Sequence, residues 1–300
     1  MIEPDWLWAV FTLAAAVAQT ARNAMQRELT ATLGTVGATH VRFLFGFPFA
    51  LIGIGLAVAA TGQALPQPGP AFWPWVLIGA VSQIFATGLM LAAMGERSFV
   101  VAIAYTKTEP VQVALFGLLF LGEHVTLPLA VAVIVATAGV MLMSWKRGAA
   151  SAAELRPIAL GLGSGAMFAL SAIGYRGAIR SLDGAAYFIA SSFTLVVALA
   201  IQSALLSAYL LWRERSVLLA IFRAWRPSMM AGFMGALASE FWFAAFALAT
   251  AASVRTLALV EVLFAQAVSV LIFRQTVSAR EKAGIVLVLV GVILLLWATA

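Results

Sequence analysis

Residues 105–145, YTKTEPVQVALFGLLFLGEHVTLPLAVAVIVATAGVMLMSW, and residues 257–297, LALVEVLFAQAVSVLIFRQTVSAREKAGIVLVLVGVILLLW, are two versions of one pattern. Glu109, Leu119, Val125, Gly139, Val140, Leu142 and Trp145 recur as Glu261, Leu271, Val277, Gly291, Val292, Leu294 and Trp297, each pair 152 positions apart. Trp73 and Trp225 keep the same spacing, which carries the register back without a gap to the third apolar stretch of each half. Coincident Leu and Val mean little between two apolar stretches, but coincident Trp, Glu and Gly mean more. The chain therefore reads as two related halves, 1–150 and 151–300.

Outward from these segments, apolar stretches bounded by Pro, Gly or charge predict spans at 5–27, 36–60, 72–94, 99–121, 126–145, 157–180, 186–212, 227–249, 254–273 and 281–298. A hydrocarbon core about 30 Å thick needs about 20 apolar residues per helix, so the expected fold is all-α. It is a polytopic membrane protein of ten transmembrane helices arranged as two five-helix repeats. Five is odd, so the second half must enter from the opposite face. Inverted repeats of this kind belong to transporters that alternate access around a site near the bilayer midplane.

Composition agrees. Of 300 residues 63% are hydrophobic and 10% charged, with a mean hydropathy of +1.03, so lipid is the expected solvent. There is no cysteine, and only His40 and His124 supply imidazole. Thiolate metal sites and Cys nucleophiles are excluded, and neither a metal nor a cofactor is expected. The net charge of +6 is spread over segment ends, which argues against a nucleic-acid partner. The N-terminus, Met1-Ile2-Glu3-Pro4-Asp5, lacks a basic leader, and the first span is read as mature.

Trp6, Trp8, Trp73, Trp75, Trp145, Trp212, Trp225 and Trp297 fall at span ends, at the headgroup level such rings prefer, whereas Trp242 lies inside span eight. Ser216 to Trp225 is short, amphipathic and basic-flanked, and is expected along the interface. Arg22, Arg27, Arg42, Arg97, Lys146, Arg147, Arg156, Arg213, Arg215, Arg223, Arg226, Arg274, Arg280 and Lys282 surround the odd-numbered loops. Only Arg176, Arg180 and Arg255 surround the even ones. By the positive-inside rule the odd loops face the cytoplasm and both termini lie outside.

Lys107, Glu109, Glu240 and Glu261 sit near the middle of predicted spans. A charge at that depth costs about 2.5–3.5 kcal/mol on insertion scales and normally faces a cavity or a partner. Lys107 is two residues from Glu109, on another helix face, so its partner is expected across the bundle. Pro110 within span four predicts a kink that frees the Thr106 carbonyl, and Pro110 with the repeat-related Glu109 and Glu261 is read as a hinge or gating set, a substrate role for the two glutamates standing equally open. The candidate substrate-contacting set is Lys107, Tyr105, Thr106, Gln83, Glu240, Trp242, Ser164 and Tyr175. Ser164 lies in Gly161-Leu162-Gly163-Ser164-Gly165, whose spacing is not that of a nucleophile elbow and suits close helix packing. No residue is read as catalytic.

Phe120-Leu121-Gly122-Glu123-His124-Val125-Thr126, followed by Gly139-Val140, resembles the repeated signature of the EamA family of drug/metabolite transporters. The corresponding second-half run is Ile272-Phe273-Arg274-Gln275-Thr276-Val277-Ser278, where Arg274-Gln275 replace the usual Gly-Glu. The resemblance implies a ten-helix basket with a central cavity between the halves and, closest in overall character, export of aromatic amino acids. It also implies a bacterial-type inner membrane and cytoplasmic termini, opposite to the charge count. The expected function is export of aromatic or large apolar amino acids, as a monomer or homodimer, with a small-molecule substrate and the lipid bilayer as partners. Export of cationic drugs is the alternative, and a membrane-embedded enzyme fits least, because clustered His, Asp or Cys is missing.

Overall fold

The protein is described by a computed structural model over residues 5–96, 105–144, 152–264 and 278–299. The start of predicted span four, the end of span nine and Arg274-Gln275 lie outside the described residues. Among those residues every regular element is helical.

The first two spans form a tight hairpin. Helix α1 (Leu7–Leu44) reverses at Gly34, whose φ of 67° and ψ of 176° suit a residue without a Cβ, and α2 (Gly46–Thr61) continues the returning arm. Antiparallel arms explain why Gln26 Nε2 reaches back to the Ala38 carbonyl at 2.9 Å. A one-residue turn thus stands where the hydropathy pattern suggested a longer connection from 28 to 35. Gly62, left-handed at φ 66°, ends α2.

Helix α3 (Phe72–Glu96) follows, then α4 (Glu109–Leu121), closed by Gly122 at φ 62°, and α5 (Leu127–Ser144). The second half contains α6 (Ala152–Arg180), α7 (Tyr187–Arg213) and the short α8 (Arg215–Arg223). Helix α9 (Trp225–Leu248) is followed by α10 (Ala251–Leu257), a 3-10 turn over Ala258–Val260, and finally α11 (Ala279–Thr299). The segment expected along the interface is α8, which lays Val217 and the buried Ile221 on Gly37 of the hairpin.

Among the described residues six stretches are long and apolar enough to cross a membrane, and the first, Leu7–Thr61, holds both hairpin arms in its 55 residues. α4 and α5 are shorter apolar helices. The distribution of side chains is that of a protein dissolved in lipid. Leu119, Ile293 and Trp297 face outward, whereas Arg22, Arg42, Gln26 and Gln202 are buried.

Without water to drive apolar faces together, close packing rests on small residues. α3 meets α6 so closely that a Cβ on Gly174 would lie 2.5 Å from the Gly79 nitrogen, and one on Gly177 2.5 Å from the Trp75 ring. α9 meets the hairpin at Gly232, where a Cβ would lie 2.5 Å from Phe45 Cβ. α5 meets α11 at the two repeat-related glycines: a Cβ on Gly139 would lie 2.7 Å from the Gly284 carbonyl oxygen, and one on Gly291 2.6 Å from the Ala136 nitrogen.

Two expectations are corrected. Pro110 does not kink the interior of a helix; it occupies the first turn of α4, where its missing N–H costs nothing. Arg22, Arg42, Arg176 and Arg255, counted above as loop charges, lie inside the helix bundle, the first two and Arg255 buried and Arg176 nearly so. Removing them leaves Arg180 as the single cation that the count assigns to the even-numbered loops.

Candidate functional site

The site forms where two helices are interrupted. Ahead of α4, the chain from Tyr105 to Thr108 makes a turn in which the Thr108 N–H (3.3 Å) and hydroxyl (2.9 Å) both donate to the Tyr105 carbonyl. Ahead of Glu261, the 3-10 turn Ala258–Val260 interrupts the helix in the second half. Thr106–Thr108 and Ala258–Val260 are again 152 positions apart, so the two interruptions coincide in the repeat register. Val262 stands where the first half has Pro110, so proline alone does not create the break. Gly165 of α6 lets that helix approach the first turn, since a Cβ there would lie 3.0 Å from the Thr106 carbonyl oxygen.

Each interruption ends in a glutamate that pairs with a cation of the other half. Lys107 Nζ lies 2.5 Å from Glu261 Oε2, and Arg255 Nε lies 2.9 Å from Glu109 Oε1. All four side chains are buried, so each pair exchanges a large desolvation cost for mutual attraction. Gln19 ties the pairs to the aromatic wall: its amide donates to Glu261 Oε2 at 3.4 Å and its carbonyl accepts from Trp242 Nε1 at 3.0 Å. The Arg255 guanidinium lies 4.3 Å from the centre of a Trp242 ring and 5.2 Å from that of Phe246. Gln19, Asn23, Met90, Thr106, Lys107, Glu109, Phe168, Arg255 and Glu261 enclose a narrow central cavity.

Beside it lie two more buried cations. Arg22 donates to Asn23 Oδ1 at 2.7 and 3.2 Å, and Arg42 donates to Thr87 Oγ1 at 3.1 Å and Ser239 Oγ at 3.4 Å. The two side chains meet over Gly235, where a Cβ would lie 3.1 Å from Arg42 Cγ and 3.5 Å from Arg22 Cδ.

The other predicted site residues are placed as follows. Tyr105 is half-buried at the turn, and Thr106 lines the cavity. Gln83 and Tyr175 belong to a closed network: the Tyr175 hydroxyl donates to Gln83 Oε1 at 2.8 Å, and Gln202 Nε2 reaches both at 3.0 Å. Ser164 donates to the Ala86 carbonyl at 2.8 Å, joining α6 to α3 instead of facing the cavity. The Glu240 carboxylate accepts a hydrogen bond from Ser192 of α7 and lies beside Gly53 of α2.

A second charged cluster closes the end of the bundle that carries the α4–α5 loop. Glu123, in the motif after α4, pairs with Arg176 of α6, and Arg176 also donates to the Phe246 and Ala249 carbonyls at the end of α9. Sequence reasoning missed Arg22, Arg42, Arg176 and Arg255 because each stands within a few residues of a span boundary. The available signal was that each interrupts an apolar stretch, which membrane insertion penalises unless the charge is used.

Helices apolar enough to span a bilayer, wrapped around buried charge and a polar cavity, are those of a multi-pass membrane protein. Residues 6–145 match the EamA-like transporter family, which supports a place among the drug/metabolite transporters. A crystal structure described only as that of a protein superposes with a TM-score of 0.70 at 14% identity, covering 97% of this chain and 96% of that one, a likeness of fold alone. No curated protein matches the chain.

Proposed function

We propose that this protein is an alternating-access transporter of small carboxylate-bearing metabolites, built as two inverted five-helix halves in a bacterial-type inner membrane. The observation that carries the reading is the reciprocal pairing at the centre, Lys107 to Glu261 and Arg255 to Glu109, across two helices broken in the same register. Packing supports the two-fold relation. Replacing each helix by the one 152 residues away converts the α3–α6 contact into the α9–α1 contact and maps α5–α11 onto itself. Broken helices and charged side chains at membrane depth belong where a solute passes, because elsewhere lipid leaves their polar groups unsatisfied.

Amino acids with aromatic or large apolar side chains are the first substrates to try. Trp242, Phe246 and Phe168 offer ring contacts, and the buried cations receive the carboxylate. Cationic drugs would need an unengaged carboxylate, whereas Glu109 and Glu261 are ion-paired and Glu240 is bonded to Ser192. The test is uptake of labelled phenylalanine by proteoliposomes holding the full chain. Transport that disappears in Lys107→Ala supports the reading, and unchanged transport removes the central pair from the path.

A further inference from the structure

We infer that Arg22 and Arg42 form an oxyanion subsite, which selects substrates carrying net negative charge at the centre. The inference rests on the transport reading for its biological meaning but on separate atoms for its support. Among the described residues the centre holds four cations, Arg22, Arg42, Lys107 and Arg255, against two carboxylates, Glu109 and Glu261, and both carboxylates are already claimed. Arg22 and Arg42 have only neutral partners: an amide oxygen for one and two hydroxyls for the other. Each keeps an unmet buried donor, Nη1 of Arg22 and Nε of Arg42, although both side chains are at least 98% buried.

Two like charges held over one glycine in a low-dielectric interior repel strongly, and an anion between or beside them relieves that repulsion. The planar guanidinium is the side chain best shaped for that anion, because its donors match the paired oxygens of a carboxylate or phosphate. Arg22 also lies within electrostatic reach of Glu261 and Arg255, so an anion bound here is coupled to the cavity's ion pairs. A zwitterion leaves the surplus positive charge uncompensated. An anion of the same shape neutralises part of it.

Phenylalanine and phenylpyruvate share the ring and carboxylate and differ in the ammonium, which makes them the discriminating pair. Binding is measured by thermal shift on the detergent-solubilised full chain, with phenylpyruvate, phenylalanine and inorganic phosphate as probes. Phenylpyruvate is expected to bind at least about tenfold tighter than phenylalanine, and phosphate to compete with it. Arg22→Gln and Arg42→Gln, which keep a donor and remove the charge, should each weaken phenylpyruvate on the order of 10- to 100-fold. Changing either to Lys should recover part of the loss. Phosphate that binds while phenylpyruvate does not assigns the subsite to phosphate-bearing metabolites.

Equal affinity for phenylpyruvate and phenylalanine, or folded glutamine variants with native affinity, overturns the proposal. If neither glutamine variant folds, competition in the unmodified protein decides, and absence of mutual displacement between phosphate and phenylpyruvate overturns it. Failure of this inference and failure of the transport reading are separable. Phenylalanine exchange in vesicles that ignores Arg22→Gln removes the subsite and leaves transport standing. Arginine-dependent anion binding without flux of any probe removes transport and leaves the subsite.

Discussion

The centre and the rim of this molecule both use buried or half-buried ion pairs, and they use them differently. At the centre the two breaks and the two glutamates have counterparts 152 residues away, and their cations, Lys107 and Arg255, cross between the halves in opposite senses from positions outside that register. At the rim, Arg176 gathers Glu123 and the Phe246 and Ala249 carbonyls, while the second half carries Arg274-Gln275 in place of Gly122-Glu123. A symmetric centre suits a site that must serve both faces of the membrane in turn. An asymmetric rim distinguishes the two faces.

The largest effect tests the centre. Glu261→Gln leaves Lys107 buried without a counter-ion, and losing one partner of a buried pair costs about 3–5 kcal/mol. The measurement is reversible unfolding in mixed micelles, with transport expected to vanish in parallel. Glu109→Gln should cost the same to within about 1 kcal/mol, because Arg255 is orphaned in the same way. A large difference between the two would break the symmetry argument.

Next in size is removal of the whole central pair. Lys107→Met with Glu261→Met takes out both charges, so its cost should fall well below the sum of the single changes, with a coupling energy of up to about 3 kcal/mol. Strict additivity in the same micelle assay would show that the two groups do not depend on each other. Transport is expected to stay lost in the double variant, because packing can replace a buried ion pair structurally but cannot supply charges for a solute.

What was legible beforehand follows from the kind of signal each feature leaves. The glutamates and glycines of the repeat could be read because register is a property of sequence alone, and Gly139 and Gly291 each let the facing helix approach at the α5–α11 contact. Lys107 was expected to find its partner across the bundle, and it does. Pro110 was misjudged because a proline marks either a kink or a helix start, and only the backbone before it decides. The central arginines were missed because hydropathy cannot say how far a charge lies from a boundary, whereas the tight turn at Gly34 and the early start of α10 draw them inward. Ser164, Gln83 and Tyr175 were polar residues on an inner helix, and sequence does not tell a helix-joining hydrogen bond from a cavity wall.

The rim gives a smaller effect of a different kind. In Glu123→Gln, Arg176 keeps its two carbonyl acceptors, so the expected loss is only about 1–2 kcal/mol. The functional change should exceed the structural one, because the clasp joins the α4–α5 loop to α6 and the end of α9. The chain has no cysteine, so Met90→Cys on the cavity wall reports access cleanly. An impermeant maleimide added from the α4–α5 loop side should label it several-fold faster once Glu123 is changed. Unchanged labelling would make the clasp a brace, not a gate.

The smallest effect separates helix joining from solute contact. Ser164 spends its hydroxyl on the Ala86 carbonyl, and interhelical hydrogen bonds in membrane proteins average about 0.6 kcal/mol because the unfolded chain in the membrane also finds partners for such groups. Ser164→Ala should therefore lower stability by about that amount in the micelle assay and leave the KM for transport unchanged. A several-fold change in KM would mean that α6 turns Ser164 toward the cavity in another state of the cycle. The centre would then include part of the α3–α6 contact, and the boundary drawn here between moving charge and fixed packing would have to shift outward.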